Sequence, residues 1–232
     1  MDENFSTLRP KLLLYSSITC AQAMCTLLLL TYNESFNKID NLEYLLFLGV
    51  TIIFEYFKSS FVLSTSAQRD RIEYENLEKS SKNFSLKNPT DCLKCTLLFT
   101  LLTIVYIVAI VLFGASVLTN HIETALLAIT LSVLTLIPAV LNLGVDNTIG
   151  LINNDYLTIE KEMIDTFESS AKMVLVGTWF GAFVIPLDWD RSWQVWPKPC
   201  ILGAWFGYFL SHLYLCIKIC NYRLRMHLKR IK

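Results

Sequence analysis

Three absences narrow this 232-residue chain before any motif is read. Net charge is absent: 20 Lys and Arg stand against 20 Asp and Glu, so overall charge gives no support for nucleic acid as a partner. Strict apolar–polar alternation is absent, which argues against a β-barrel. The familiar catalytic words are absent too: there is no G-x-S-x-G, no H-E-x-x-H and no Walker loop. The three histidines, His121, His212 and His227, are scattered, and no cluster of Asp, His and Thr marks a phosphotransferase metal site. Neither a metal nor a cofactor is implied.

Cysteine occurs seven times but forms no framework. Cys92-x-x-Cys95 stands without the second CxxC that would make a zinc site convincing, and inert thiols are the ordinary reading. Cys20 and Cys25 lie in an apolar run, and Cys200 has no partner on its side of the membrane, so no disulfide is expected.

What the chain does have is apolar length. It is 53% hydrophobic with a mean hydropathy of +0.45, more than an ordinary soluble domain carries. Six segments approach the roughly 20 residues that cross a bilayer: 12–32, 42–65, 95–118, 124–144, 171–187 and 200–219. The first contains Ala21-Gln22-Ala23, a small-residue pattern like a signal cleavage site, but its apolar run continues through Leu30 and reads as a retained span. With the N-terminus in the cytosol, sixteen Lys and Arg fall on the cytosolic side and three (Lys38, Arg191, Lys198) on the other. The expectation is an all-α polytopic membrane protein, a single membrane domain made of a bundle of six transmembrane helices with both termini cytosolic.

Two cytosolic loops join the spans. Residues 66–91 mix charges without periodicity. Residues 145–170 repeat apolar positions at helical spacing (Ile149, Ile152, Tyr156, Ile159, Met163, Phe167) with an acidic opposite face. An anionic leaflet would repel that face, so the segment is expected to pack on protein.

Glu55 and Lys58 sit three apart within the second span, on one helix face. Lys58 is close enough to the cytosolic edge to snorkel. Glu55 is deeper, where ionisable groups are expensive. A local ion pair is the plain reading; contact with a lipid headgroup or a partner helix is the alternative, and Glu55 is a candidate for it.

The densest chemistry lies at 183–199, FVIPLDWDRSWQVWPKP. Glycine is scarce, 8 residues in all, yet four flank this stretch in a near-repeat: Gly177-Thr-Trp-Phe-Gly181-Ala-Phe183 and Gly203-Ala-Trp-Phe-Gly207-Tyr-Phe209. Folding the chain at Ser192 sets Gly177 against Gly207 and Gly181 against Gly203. Glycines four apart let two helix backbones approach closely, so the luminal loop 187–199 caps a tight hairpin. Trp189, Trp193 and Trp196 suit the membrane–water boundary. Asp188 and Asp190 can pair with Arg191. No nucleophile–base pair accompanies the carboxylates. The loop therefore reads as a rigid interfacial cap, with contact to a headgroup or a partner as the sharper alternative for Asp188, Trp189, Asp190, Arg191, Trp193 and Trp196.

Leu187-Asp-Trp-Asp-Arg191 and Trp193-Gln-Val-Trp-Pro197, with the glycines on either side, resemble the phosphatidylinositol-glycan biosynthesis class F family. The resemblance covers residues 177–207 in detail and the rest by topology. It implies an endoplasmic-reticulum membrane protein of glycosylphosphatidylinositol (GPI) anchor synthesis. It also implies a non-catalytic subunit that stabilises large catalytic partners, the class O and class G proteins, which transfer ethanolamine phosphate from phosphatidylethanolamine to mannoses of the glycolipid. A lipid-modifying enzyme or lipid transporter with its site in the bundle is the alternative.

Overall fold

A computed structural model describes residues 3–32, 41–67, 89–115, 120–153, 161–187 and 191–231. Among them the chain is helical throughout, with no strand: α1 (Glu3–Tyr32), α2 (Asn41–Ala67), α3 (Pro89–Leu112), α4 (His121–Leu143), α5 (Val145–Asn153), α6 (Lys161–Val184) and α7 (Lys198–Ile231), with a 3-10 turn at Ser192–Gln194 before α7. Five of these helices are long and apolar enough to cross a membrane: α1, α2, α3, α4 and α7. The segment at 171–187 does not qualify by composition. It belongs to α6, whose first half carries Lys161, Glu162, Asp165, Glu168 and Lys172.

Helix ends follow local chemistry. α3 occupies 89–112, where the apolar run places a span at 95–118. Pro89 starts it, since a first-turn proline gives up an N–H that no helix carbonyl would use. It ends because Gly114 takes φ +103°, a conformation open to glycine and unfavourable to other residues. α4 ends at Gly144 with φ +83°, its N–H bonded back to the Val140 carbonyl. The amphipathic pattern at 145–170 divides between α5 and the first turns of α6, and residues 154–160 lie outside the described structure. Of its apolar positions, Phe167 and Met163 pack with Tyr15, Ala139 and Leu143, and Ile149 packs against Leu136 and Val140; the side chains of Ile152, Tyr156 and Ile159 lie outside the described ones.

α4 is the hub. Its most apolar window is 72% buried, against 6% for α3. α2, α3, α6 and α7 pack on it, and α1 lies along α7. Interhelical hydroxyl bonds pin these contacts: Tyr44 to Thr130 at 3.0 Å joins α2 to α4, while Thr103 to Ser132 (2.9 Å) and Tyr106 to Thr135 (3.1 Å) join α3 to α4. In a membrane-type bundle, apolar contact distinguishes poorly between helix and lipid, so such polar ties and close fit set the partners.

The most extensive contact is between α6 and α7. A Cβ at Gly177 would strike the carbonyl oxygen of Gly203 and come within 3.1 Å of the Gly207 Cα. A Cβ at Gly203 would strike the Gly177 carbonyl and come within 3.3 Å of the Gly181 nitrogen. Gly181 is closed by the Pro199 carbonyl and Gly207 by that of Met173. The seam is therefore backbone on backbone, but its register differs from simple glycine-to-glycine pairing about Ser192. Each glycine receives a facing carbonyl, and the four interleave, because a ridge on one helix seats in the gap of the other rather than atop its opposite number.

The seam gives a direct prediction. Gly203→Ala forces the helices apart and destabilises the chain by roughly 1–3 kcal/mol, the usual cost of overpacking. Gly49→Ala, in α2 with nothing within 4 Å of the added carbon, leaves stability unchanged or slightly raised. Thermal unfolding of the two variants in detergent checks both; equal melting temperatures would remove the seam.

Candidate functional site

The charge pair of α2 turns inward. Glu55 is 5% exposed and Lys58 4%. Lys58 does not snorkel: its three N–H groups go to Glu55 Oε2 at 2.6 Å, Thr19 Oγ1 at 2.8 Å and Gln22 Oε1 at 3.4 Å. Its ammonium also lies 4.2 Å from the centroid of the Tyr15 ring. Both carboxylate oxygens of Glu55 are engaged, because the Tyr15 hydroxyl donates to Oε1. The correction to the surface expectation has a plain cause. α1 presents Tyr15, Thr19 and Gln22 at helical spacing on one face, and that polar stripe solvates the pair where water cannot. Sequence spacing alone carried this signal; the sequence reading followed α2 and passed over the stripe on α1.

The stripe continues into α7. His212 is buried and its Nδ1 lies 3.3 Å from Ser16 Oγ, so it ties α7 to α1. The rings of Tyr15, Tyr208 and His212 stack edge to face. Trp205 Nε1 and Tyr208 Oη are buried without a hydrogen-bond partner and border a small cavity beside Glu55 and Gln22. Among the described residues, no three His, Cys, Asp or Glu side chains gather as a metal would require.

The hairpin turn is held by a residue the sequence reading did not single out. Gln194 is buried, and its amide donates to the Val184 carbonyl at 2.9 Å and to that of Leu187. Val184 is the last residue of α6 and Leu187 lies just beyond it, where the helical N–H ladder has ended; the Val184 carbonyl also accepts from the Leu187 N–H at 3.2 Å. Gln194 Oε1 in turn accepts from the Arg191 N–H at 3.5 Å. Asp188, Trp189 and Asp190 lie outside the described residues, and so does any pairing of Arg191 with either aspartate. Arg191 itself is exposed.

The tryptophans divide. Trp193 is partly exposed, as a boundary residue should be. Trp196 instead packs against the main core and donates from Nε1 to Thr124 Oγ1 of α4 at 3.3 Å, which docks the turn on the hub helix. The two tryptophans of the repeat also differ: Trp179 is 55% exposed and Trp205 1%. Similar words on the two helices have opposite fates because α7 is inside the bundle and α6 flanks it.

What this arrangement can do is hold shape. The only acid deep in the bundle, among the described residues, is consumed by its neighbours, and the turn is pinned at both ends. A family model describing the "GPI biosynthesis protein family Pig-F" matches residues 5–215. The chain belongs to the Pig-F family. Among its relatives, the "GPI ethanolamine phosphate transferase, stabilizing subunit" of Mus musculus is 37% identical over 134 residues, 56% of this chain and 59% of its own length. The Homo sapiens protein of the same description is 39% identical over 133 residues, with the same shares. The "Glycosylphosphatidylinositol anchor biosynthesis protein 11" of Debaryomyces hansenii is 38% identical over 114 residues, 47% of each chain. The match thus spans 59% of the length of the mouse and human relatives. No solved structure matches the chain.

The buried pair makes a second prediction. Lys58→Met alone strands the Glu55 charge and costs roughly 3–5 kcal/mol, whereas Glu55→Gln with Lys58→Met recovers most of that loss. Unfolding midpoints of the single and double variants read the difference. A double variant no better than the single would show that the pair is not the unit.

Proposed function

We propose that this chain is the non-catalytic, stabilising subunit of ethanolamine phosphate transferase complexes of GPI-anchor biosynthesis in the endoplasmic-reticulum membrane. Its catalytic partners are the class O and class G subunits, and its hairpin turn is the luminal platform they rest on. Family membership and the words "stabilizing subunit" in its relatives' descriptions support this. The observation that carries it is the closure of the hairpin: a backbone-on-backbone seam, a glutamine cap and an indole anchor hold the described residues on either side of the turn together. A rigid surface binds a partner without first losing conformational freedom.

The reading includes six spans with both termini cytosolic. α6 supplies the sixth. It runs antiparallel to α7 and shares the seam with it, so its second half sits at the depth of an apolar helix. That half also presents Leu175, Val176, Trp179, Phe180 and Phe183 on an exposed stripe, which acyl chains would cover. Under this topology Asn83 of Asn83-Phe-Ser85 stays unglycosylated and Asn33 of Asn33-Glu-Ser35 faces the lumen. A glycan on Asn83 in the native chain overturns the topology.

The platform reading predicts that Asp190→Asn and Arg191→Ala lower the amount of associated catalytic subunit about tenfold or more, roughly what losing one charge-assisted contact costs. Ethanolamine-phosphate transfer per recovered complex stays close to wild type. Normal recovery with transfer reduced by orders of magnitude would instead put these residues in the chemistry.

A further inference from the structure

A small cavity, with about 10 Å³ of room for a water-sized sphere, lies where α1, α2, α4 and α7 meet. We propose that it binds one water molecule, hydrogen-bonded at once to Trp205 and Tyr208 of α7, Glu55 of α2 and Gln22 of α1.

The donors come from α7. Trp205 Nε1 and Tyr208 Oη have no hydrogen-bond partner, although each residue is only 1% exposed. They are three residues apart and so share one face of the helix. Trp205 is not free to aim its N–H elsewhere. Its ring packs edge to face on Phe47, with 6.3 Å between centroids, and on Tyr208, with 6.2 Å. A buried donor left unpaired is costly, and here two of them line the same cavity.

The acceptors come from α1 and α2. Glu55 Oε1 takes the Tyr15 hydroxyl and Oε2 the Lys58 ammonium, yet each carboxylate oxygen has a second lone pair. Gln22 Oε1 accepts from Lys58 at 3.4 Å and likewise keeps a lone pair. A water molecule has two lone pairs for the donors and two hydrogens for the acceptors. Charge excludes other small occupants: a cation would meet the Trp205 N–H, and an anion the Glu55 carboxylate. Size agrees, since one water needs roughly 10–15 Å³ of such room and a second would not fit. The polar stripe of α1 replaces bulk water around the Glu55–Lys58 pair. One trapped molecule completes that shell and gives α7 a hydrogen-bonded link to it.

The test uses the full chain in nanodiscs and brief X-ray irradiation, which splits water where it sits and marks the side chains beside it. Trp205 and Tyr208 should be oxidised at rates close to that of the partly exposed Trp193, while Phe167, buried but not lining the cavity, should stay unmarked. Hydroxyl radicals generated chemically in bulk solution should mark Trp193 and leave Trp205 and Tyr208 untouched. Val133→Ile adds a methyl group to the cavity wall and should bring Trp205 oxidation down to the level of Phe167. Stability supplies a readout whose sign decides. Removing an unpaired hydroxyl relieves a burial cost, whereas removing one that holds a water loses a hydrogen bond. Tyr208→Phe should therefore lower the unfolding midpoint by about 2–4 °C, the shift of one such bond in a chain of this size. Trp205 and Tyr208 as inert as Phe167 under X-rays, their oxidation by bulk radicals, undiminished oxidation in Val133→Ile, or an unchanged or higher midpoint in Tyr208→Phe would overturn the proposal.

Discussion

Four glycines let the backbones of α6 and α7 touch, and the rest of the structure depends on that contact. Without side chains between them, the two helices act as one unit. At their closed end, Gln194 ties the chain entering α7 back to Val184, and Trp196 docks it on α4. At their open end the same pairing brings an acidic start of α6 beside a basic stretch of α7. One packing constraint therefore shapes both ends of the hairpin.

A second constraint fixes the hairpin against the other helices. A salt bridge buried in a bundle adds little net stability against an apolar alternative, because both charges lose their hydration. Its value is selectivity. The Glu55–Lys58 pair is satisfied only when α1 presents Tyr15, Thr19 and Gln22 in one register. His212 and Ser16 then carry the same helix onto α7. A slipped arrangement would leave the pair without its hydrogen-bond partners on α1 in an apolar interior, which is more costly than a lost apolar contact. The polar stripe thus specifies the neighbours that greasy surfaces alone would leave ambiguous.

The sequence made the apolar helices legible because each must carry its own apolar surface along nearly its whole length. The glycine seam was legible too, since glycines at four-residue spacing on adjoining apolar segments have few other uses. Its register was not. Interleaving of carbonyls into glycine gaps depends on how two helices cross, which no residue count contains. Gln194 was hidden among more conspicuous tryptophans and aspartates, although a helix end with unpaired carbonyls always calls for a donor. The inward turn of Lys58 was hidden for a different reason. Its fate depends on α1, and a reading along α2 cannot see it. The charged first half of α6 illustrates the remaining difficulty: half of that helix is polar, so composition alone leaves its status as a span undecided.

The central claim is that closure of the α6–α7 hairpin is what a partner recognises. It is tested most directly by replacing Gly177, Gly181, Gly203 and Gly207 with alanine one at a time and comparing two quantities for each variant. One is the unfolding midpoint of the isolated chain; the other is the amount of catalytic subunit isolated with it from cells at matched expression. The account predicts that the two fall together across the series, with transfer per recovered complex unchanged. Variants that lose stability yet retain their full complement of partner would contradict it.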